Sequence, residues 1–340
     1  MADEHAAVTT RTLPFGDDAV AEGARLIAAG EPVAVPTETV YGLAADATDA
    51  AAVAHIYAAK GRPSFNPLIV HVLDLAAAEK LAVFDQRARI LAAAFWPGPL
   101  TLVLPRRPRA GIASLVTARL DTIAIRVPAH RAMRALLGAT GKPLAAPSAN
   151  ASGAISPTRA VHVLDSLGGR IPLIIDDGAT EKGLESTIVR EVFGTTRILR
   201  QGPITSEAVR RALGGDRAPV ERFDAHIDAP DMIEAPGQMS SHYAPRKALR
   251  IDAPRAGEDE WMIGFGATPG DDTLSAAGDL EEAATRLFDA LHRADASVRA
   301  RIAVAPVPDD GIGAAINDRL RRAAHDDGVA DRSGSTFTLP

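Results

Sequence analysis

Short apolar runs rich in β-branched residues recur through the first two thirds of the chain, with stretches of helical spacing between several of them. PVAVP (32–36), PLIVHV (67–72), LTLVLP (100–105), TIAIRVP (122–128), PLIIDD (172–177), STIVREV (186–192) and TRILRQG (196–202) have the length and branching of buried strands. After the first of these, Asp49 caps a stretch in which Val53, Ile56, Tyr57 and Lys60 share a face, and Gly61 stops it. A helix over 157–168 takes Ser156 as its cap and Pro157 in its first turn, and another over 206–213 runs from Thr205 to Gly214. Strands alternating with helices predict an α/β domain with a mixed sheet.

Periodicity is lost over 215–247, where four prolines and scattered charge predict a linker. Beyond it, ALRID, EWMIGF and RIAVAPV read as strands. Residues 279–292 read as a helix with Leu280, Ala284, Leu287, Phe288 and Leu291 on one face, and a last helix runs near 312–324. The expected division is therefore a larger unit over 14–214, a linker over 215–247 and a smaller α/β unit over 248–340 with an irregular tail. A chain of 340 residues has room for two such units.

Composition removes several classes of chemistry. With no cysteine, disulfides, thiolate nucleophiles, zinc ribbons and iron–sulfur clusters are excluded, which fits a reducing cytosol. A net charge of −6 argues against a polyanion held by bulk charge, and 4% aromatic residues disfavour a stacking platform for single strands. The first residues lack the basic and apolar regions of a signal peptide, and no run approaches a membrane span. Familiar nucleotide motifs also fail. In GATGKP (138–143), Pro143 stands where a phosphate loop needs Ser or Thr. GFGATPG (264–270) follows a strand, but Pro269 and the lack of a following helix make it a turn.

Five polar segments remain at or beside strands. PTETVYGL (36–43) puts two threonines and a glutamate after a strand, where α/β sheets bind ligands, although a plain polar turn explains it too. KGRPSFNPLIVH (60–71) offers Lys60 and Arg62 on a stiff turn suited to a phosphate, while cations there also offset the helix dipole. Asn66 suits a turn cap, and His71 interrupts an apolar strand either as a satisfied core histidine or as a ligand. In DTIAIRVP (121–128), Arg126 needs an anionic partner, either a distant carboxylate or a ligand carboxylate. LAAPSANASG (144–153) with Ser156 supplies small residues and the donors Ser148, Asn150 and Ser156, the last also as a simple N-cap. GLESTIV (183–189) and RILRQG (197–202) add Ser186, Thr187 and Arg200. Together these give cations and hydroxyls but no nucleophile–base pair, a pattern suited to positioning a polyanion for phosphoryl or nucleotidyl transfer.

PTETVYGL, KxRPxxNPLIVH, WPGPLTLVL, DTIAIRVP, PSANxSG and ESTIV, in this order over about residues 14–213, resemble the threonylcarbamoyl-AMP synthase family with its YrdC-like catalytic domain. HYAP (242–245) and the second unit resemble its longer, two-domain members. The resemblance implies a twisted open α/β sheet around a concave basic cavity, with a smaller Rossmann-like C-terminal domain. It implies a cytoplasmic nucleotidyltransferase that joins L-threonine, bicarbonate and ATP, with Mg2+ on the phosphates, into L-threonylcarbamoyladenylate and pyrophosphate. The product would pass to the machinery that forms N6-threonylcarbamoyladenosine at position 37 of tRNA.

By motif position, Thr39, His71, Arg126, Ala146 and Ser186 would hold threonine. Lys60, Arg62, Asn66, Thr122, Ser148, Asn150, Ser156, Arg200 and Tyr243 would hold ATP, with Lys60 and Arg62 also catalytic. No residue set is expected to hold a metal directly. Two other readings are a carbamoyl-adenylate-forming domain, which the missing zinc-finger cysteines disfavour, and an RNA-binding module, which the net charge disfavours.

Overall fold

The computed structural model describes residues 8–192, 194–215, 218–222, 234–237 and 242–324. Much of the expected linker and the irregular tail therefore lie outside the described residues. No helix among those described is long and apolar enough to cross a membrane.

The larger sheet takes eleven strands among the described residues. They are β1 (Arg11–Pro14), β2 (Val33–Pro36), β3 (Tyr41–Asp46), β4 (Ile69–His71), β5 (Leu100–Pro105), β6 (Thr122–Arg126), β7 (Leu144–Ala145), β8 (Leu173–Asp176), β9 (Thr187–Val192), β10 (Thr195–Arg200) and β11 (Val220–Arg222). Their spatial order is β1-β8-β2-β3-β7-β4-β6-β5-β9-β10-β11. Parallel pairs such as β4 with β6 occur beside antiparallel pairs such as β2 with β3, so the sheet is mixed. The helices are α1 (Asp17–Ala28), α2 (Ala50–Lys60), α3 (Leu75–Leu81), α4 (Gln86–Phe95), α5 (Arg131–Thr140), α6 (Ala160–Leu167) and α7 (Ser206–Ala212).

Local chemistry explains most boundaries. The Asp49 carboxylate accepts from Ala51 N and Ala52 N at the start of α2, and Gly61 closes that helix in the left-handed region at φ 61°. Thr205 caps α7 through Ala208 N. The helix expected over 157–168 instead begins at Ala160, with Arg159 at the cap position but its side chain turned to Asp289 and making no capping bond. Ser156 is thus not its N-cap, because its hydroxyl is drawn to Glu185. In GATGKP, Gly141 is the left-handed cap of α5 and Lys142 pairs with Asp46, so the segment ends a helix.

The second sheet is smaller and all parallel, in the order β12 (Leu249–Arg250), β15 (Arg301–Val304), β13 (Glu260–Gly264), β14 (Asp272–Thr273). Helices α8 (Leu280–Ala296) and α9 (Gly313–Ala324) pack on it. GFGATPG is a turn in which Phe265 bridges Thr268. One apolar core lies under the larger sheet, and a second joins β13 and β15 to α8 and α9. That second core also takes in Val40, Ile155, Leu184 and Tyr243, residues from loops of the larger unit and the end of the linker.

Candidate active site

The strand order brings the polar segments together at the ends of interior strands of the larger sheet. His71 at the end of β4 stands opposite Arg126 at the end of β6. The start of β5 pairs with the start of β9, Leu100 opposite Thr187, and Arg200 ends β10 opposite Ile188. The β2–β3 turn and the stretch after β7 complete the wall, with Gly42 bridging Ser148.

The PTET turn is built by Thr37. Its Oγ1 donates to Val40 O at 2.7 Å and accepts from Thr39 N at 3.1 Å, which turns Thr39 toward Arg126. Arg126 Nη1 donates to Thr39 Oγ1 at 2.9 Å, and Nε donates to Gly98 O at 3.2 Å. Arg126 Nη2 lies 2.8 Å from Glu38 Oε1, in ion contact but off the line of a hydrogen bond. The partner that Arg126 required is therefore a carboxylate of the chain, carried across the end of β6 by the β2–β3 turn. Burial opposes the Glu38 charge, but Arg126 and the amide of Ala129 hold its carboxyl below the ordinary range. Burial, and then the charge of Arg126, depress His71 to about 3, so the imidazole is neutral at physiological pH. His71 lies on the cavity wall, and its Nδ1 has no hydrogen-bond partner among the described residues.

Three buried cations stand farther along. Lys60, the last residue of α2, donates to Ser148 O at 2.5 Å and also to Asn150 O. Arg62 donates from Nη2 to Asn66 Oδ1 at 2.6 Å and to Pro67 O at 3.0 Å. Arg200 donates to Ser186 O and Ser186 Oγ, both at 3.1 Å, and Ser186 Oγ meets Thr101 Oγ1 at 2.7 Å. Burial pulls all three cations below their ordinary values, Arg62 to about 10 and Lys60 well down, with Arg62 adding to the shift on Lys60. Among the described residues, no carboxylate is in ion-pair contact with any of the three.

The hollow is lined by Thr39, His71, Arg126, Ala146 and Ser186 of the expected threonine set, and by Arg62, Ser148, Arg200 and Tyr243 of the expected ATP set. Lys60, Asn66, Asn150 and Ser156 are buried directly behind that lining and hold it. Asn150 Nδ2 donates to Ala151 O and Ala154 O, closing its own loop. Thr122 is placed apart from the rest: it opens β6 opposite Pro105, at the far end of the strand from Arg126, and is not on the wall.

The sequence reading gave no role to several wall residues. Thr37 sits inside a quoted motif, as does Glu38, which contacts Arg126 without itself lining the hollow, and the unmet charge of Arg126 was the available signal for Glu38. Glu185, Pro236, Gly237 and His242 also line the hollow. Burial and the cations around it, Arg62 first, push His242 well below its ordinary value. Tyr243 adopts φ 64°, rare for a residue with a side chain, and is held from three sides. Its ring lies 4.1 Å from that of His242 and 5.6 Å from that of Phe288, and Ala244 N donates to Gly153 O at 2.8 Å.

A family model described as telomere recombination (Sua5, YciO and YrdC) matches residues 25–202. A second, described as the threonylcarbamoyl-AMP synthase C-terminal domain, matches residues 204–325. A threonylcarbamoyl-AMP synthase of Bacillus subtilis is 39% identical over 93% of this chain and 95% of its own length. One of Pyrococcus abyssi is 38% identical over 88% and 92%. The crystal structure of P. abyssi Sua5 complexed with L-threonine superposes with a TM-score of 0.84 at 35% identity, covering 93% of this chain and 97% of that one. The chain belongs to the Sua5, YciO and YrdC family, in the two-domain form of the threonylcarbamoyl-AMP synthases.

Proposed function

We propose that this protein is an L-threonylcarbamoyladenylate synthase, a nucleotidyltransferase that uses L-threonine, bicarbonate and ATP and supplies tRNA N6-threonylcarbamoyladenosine synthesis. The observation that carries this reading is the division of one hollow into two ends. At one end Arg126, buttressed by Glu38, sits beside the neutral His71 and suits an amino-acid carboxylate. At the other, Arg62 and Arg200 line the hollow with Lys60 buried behind them; none of the three has a carboxylate partner among the described residues, and together they suit a triphosphate.

Threonine's carboxylate would take Arg126 Nη2, with Thr39, Ser186 and the backbone at Ala146 around the rest of the molecule. Its amine bonds to the carbon of bicarbonate, water leaves, and a carbamate results. A carbamate oxygen then bonds to the α-phosphorus of ATP as the bond to the bridging oxygen breaks and pyrophosphate departs. Lys60, Arg62 and Arg200 neutralise the charge that moves onto the phosphates, and Asn66, Ser148, Asn150 and Ser156 keep those cations and their loops in place. Tyr243 closes over the nucleotide, and the segment 215–247 acts as the lid that carries it.

Among the described residues no group of three or more His, Asp or Glu is placed to hold a metal. Glu185, the carboxylate of the wall, is committed to Arg319, and Glu38 beside it in the site is committed to Arg126. Mg2+ would therefore be held by the phosphates of ATP, where it supplies further charge neutralisation.

The test is pyrophosphate release that depends on both threonine and bicarbonate, with mass spectrometric detection of the adenylate carrying label from bicarbonate. Release that instead requires carbamoyl phosphate would assign a carbamoyl-adenylate enzyme, and RNA binding with no release would assign a binding module.

A further inference from the structure

We infer that Arg319 of the second domain is a positioning residue for nucleotide binding: it cancels the charge of Glu185 and so leaves Arg200 free for the triphosphate. This rests on the reading that ATP occupies the hollow.

Glu185 is an acid in an unfavourable place. It lies on the wall of the hollow, 5% exposed, next in sequence to the serine that Arg200 holds. Left alone, that carboxylate would repel a triphosphate or draw Arg200 into an ion pair, and either event removes a cation from the site. Arg319 prevents both. Its side chain is 0% exposed, and Nε donates to Glu185 Oε2 at 2.8 Å. The other carboxylate oxygen accepts from Ser156 Oγ, so both oxygens have partners other than Arg200.

The same guanidinium reaches two further parts of the site. Nη2 donates to Gln201 O at 2.8 Å, fixing the backbone immediately after Arg200. The guanidinium carbon lies 5.1 Å from the centre of the Tyr243 ring, a cation–π contact on the residue proposed to cover the nucleotide. Nη1 contacts Asp318 at 2.6 Å, and Asp318 is shared with Arg322. One side chain of α9 therefore touches the GLEST segment, the end of β10 and the end of the linker. A buried ion pair adds little stability over an apolar filling of the same volume. What Arg319 adds is charge balance at an anion site.

The test uses the full-length protein and measures the ATP dissociation constant by calorimetry beside the KM for L-threonine. Arg319→Met should weaken ATP binding roughly 10–100-fold, the worth of a hydrogen bond to a charged group, and leave the threonine KM within about twofold because Arg126 is untouched. Adding Glu185→Gln to Arg319→Met should restore most of the lost affinity, since the uncompensated charge is gone. The ATP affinity that Arg319→Met loses relative to the parental protein should also shrink as pH falls, because protonating Glu185 substitutes for the missing cation while any titration of Lys60 is common to both proteins.

A purely structural brace would produce neither the rescue nor the pH trend. Parental ATP affinity in Arg319→Met, a double variant as weak as the single one, or an equal rise in threonine KM would each overturn the proposal. If Arg319→Met does not fold, Arg319→Lys decides: it keeps the charge, so ATP affinity near the parental value supports the proposal and a loss as large as that expected for Met overturns it. Should the parental protein itself bind no ATP, the functional reading fails first.

Discussion

The ammonium of Lys60 lies 2.5 Å from the carbonyl oxygen of Ser148, although the two residues are 88 positions apart. Burial leaves this cation with neutral partners and pulls its pKa well down. A triphosphate beside it would push the pKa back up, so binding takes up a proton and ATP affinity should fall as pH rises. Calorimetry in two buffers of different ionisation enthalpy measures that proton. Lys60→Ala should abolish the uptake and slow adenylate formation by about 10²–10³-fold, as other losses of transition-state charge stabilisation do. Parental rates in this variant would remove Lys60 from the chemistry.

Arg126 and Glu38 form a buried ion pair, so deleting one partner has two separable effects. Arg126→Ala strands the Glu38 carboxylate and should lower stability by about 3–5 kcal/mol. It should also raise the threonine KM by at least an order of magnitude. Adding Glu38→Gln should recover the melting temperature but not threonine binding. Recovery of both would show that Arg126 serves the fold alone.

Gly237 adopts φ 89°, and a Cβ there would lie 2.8 Å from Arg200 Cδ and 3.0 Å from the Tyr243 hydroxyl. Gly237→Ala should cost about 1–2 kcal/mol for its left-handed backbone. By displacing Arg200 it should weaken ATP binding by up to about 10²-fold, the scale seen when a positioned group moves by an ångström. Threonine binding measured in the same preparation should hardly change.

His162 of α6 and His292 of α8 stack with ring centres 3.8 Å apart across the domain junction. Burial, then the neighbouring His292, lowers His162 to about 3, and burial lowers His292. Asp289 opposes both shifts, Asp295 and Asp165 oppose that on His292, and Arg159 and Arg293 reinforce that on His162. Unfolded histidine takes its proton near 6.5, so the junction is stable above that pH and loses stability as pH falls toward 3. Each such proton steepens the loss by up to about 1.4 kcal/mol per pH unit. Chemical denaturation of His162→Gln across this range should give a slope shallower by about one proton, and an unchanged slope would count against this account.

The strands were legible where β-branched residues crowd together, as in TIAIRV and STIVREV. YGLAAD was not, because no residue in it is β-branched, yet it is a buried strand paired with both β2 and β7. Lys60, Arg62, Arg126 and Arg200 stood out because a charge beside an apolar run demands an explanation. The cap assigned to Ser156 failed because a hydroxyl that could serve a helix start served a carboxylate instead, 29 positions away. Arg319 was invisible for a related reason. DRLRRAA reads as the solvated face of a helix, and the partner that buries its arginine lies 134 positions earlier.

Val40, Ile155 and Leu184 are joined by sequence to one half of the molecule and by packing to the other. The seam between the halves therefore does not follow the chain. Anyone grafting the second half of a relative onto this first half would have to move those three apolar side chains, together with Ser156 and Glu185, as part of the transplant. A cut placed by sequence alone would join two surfaces shaped for other companions.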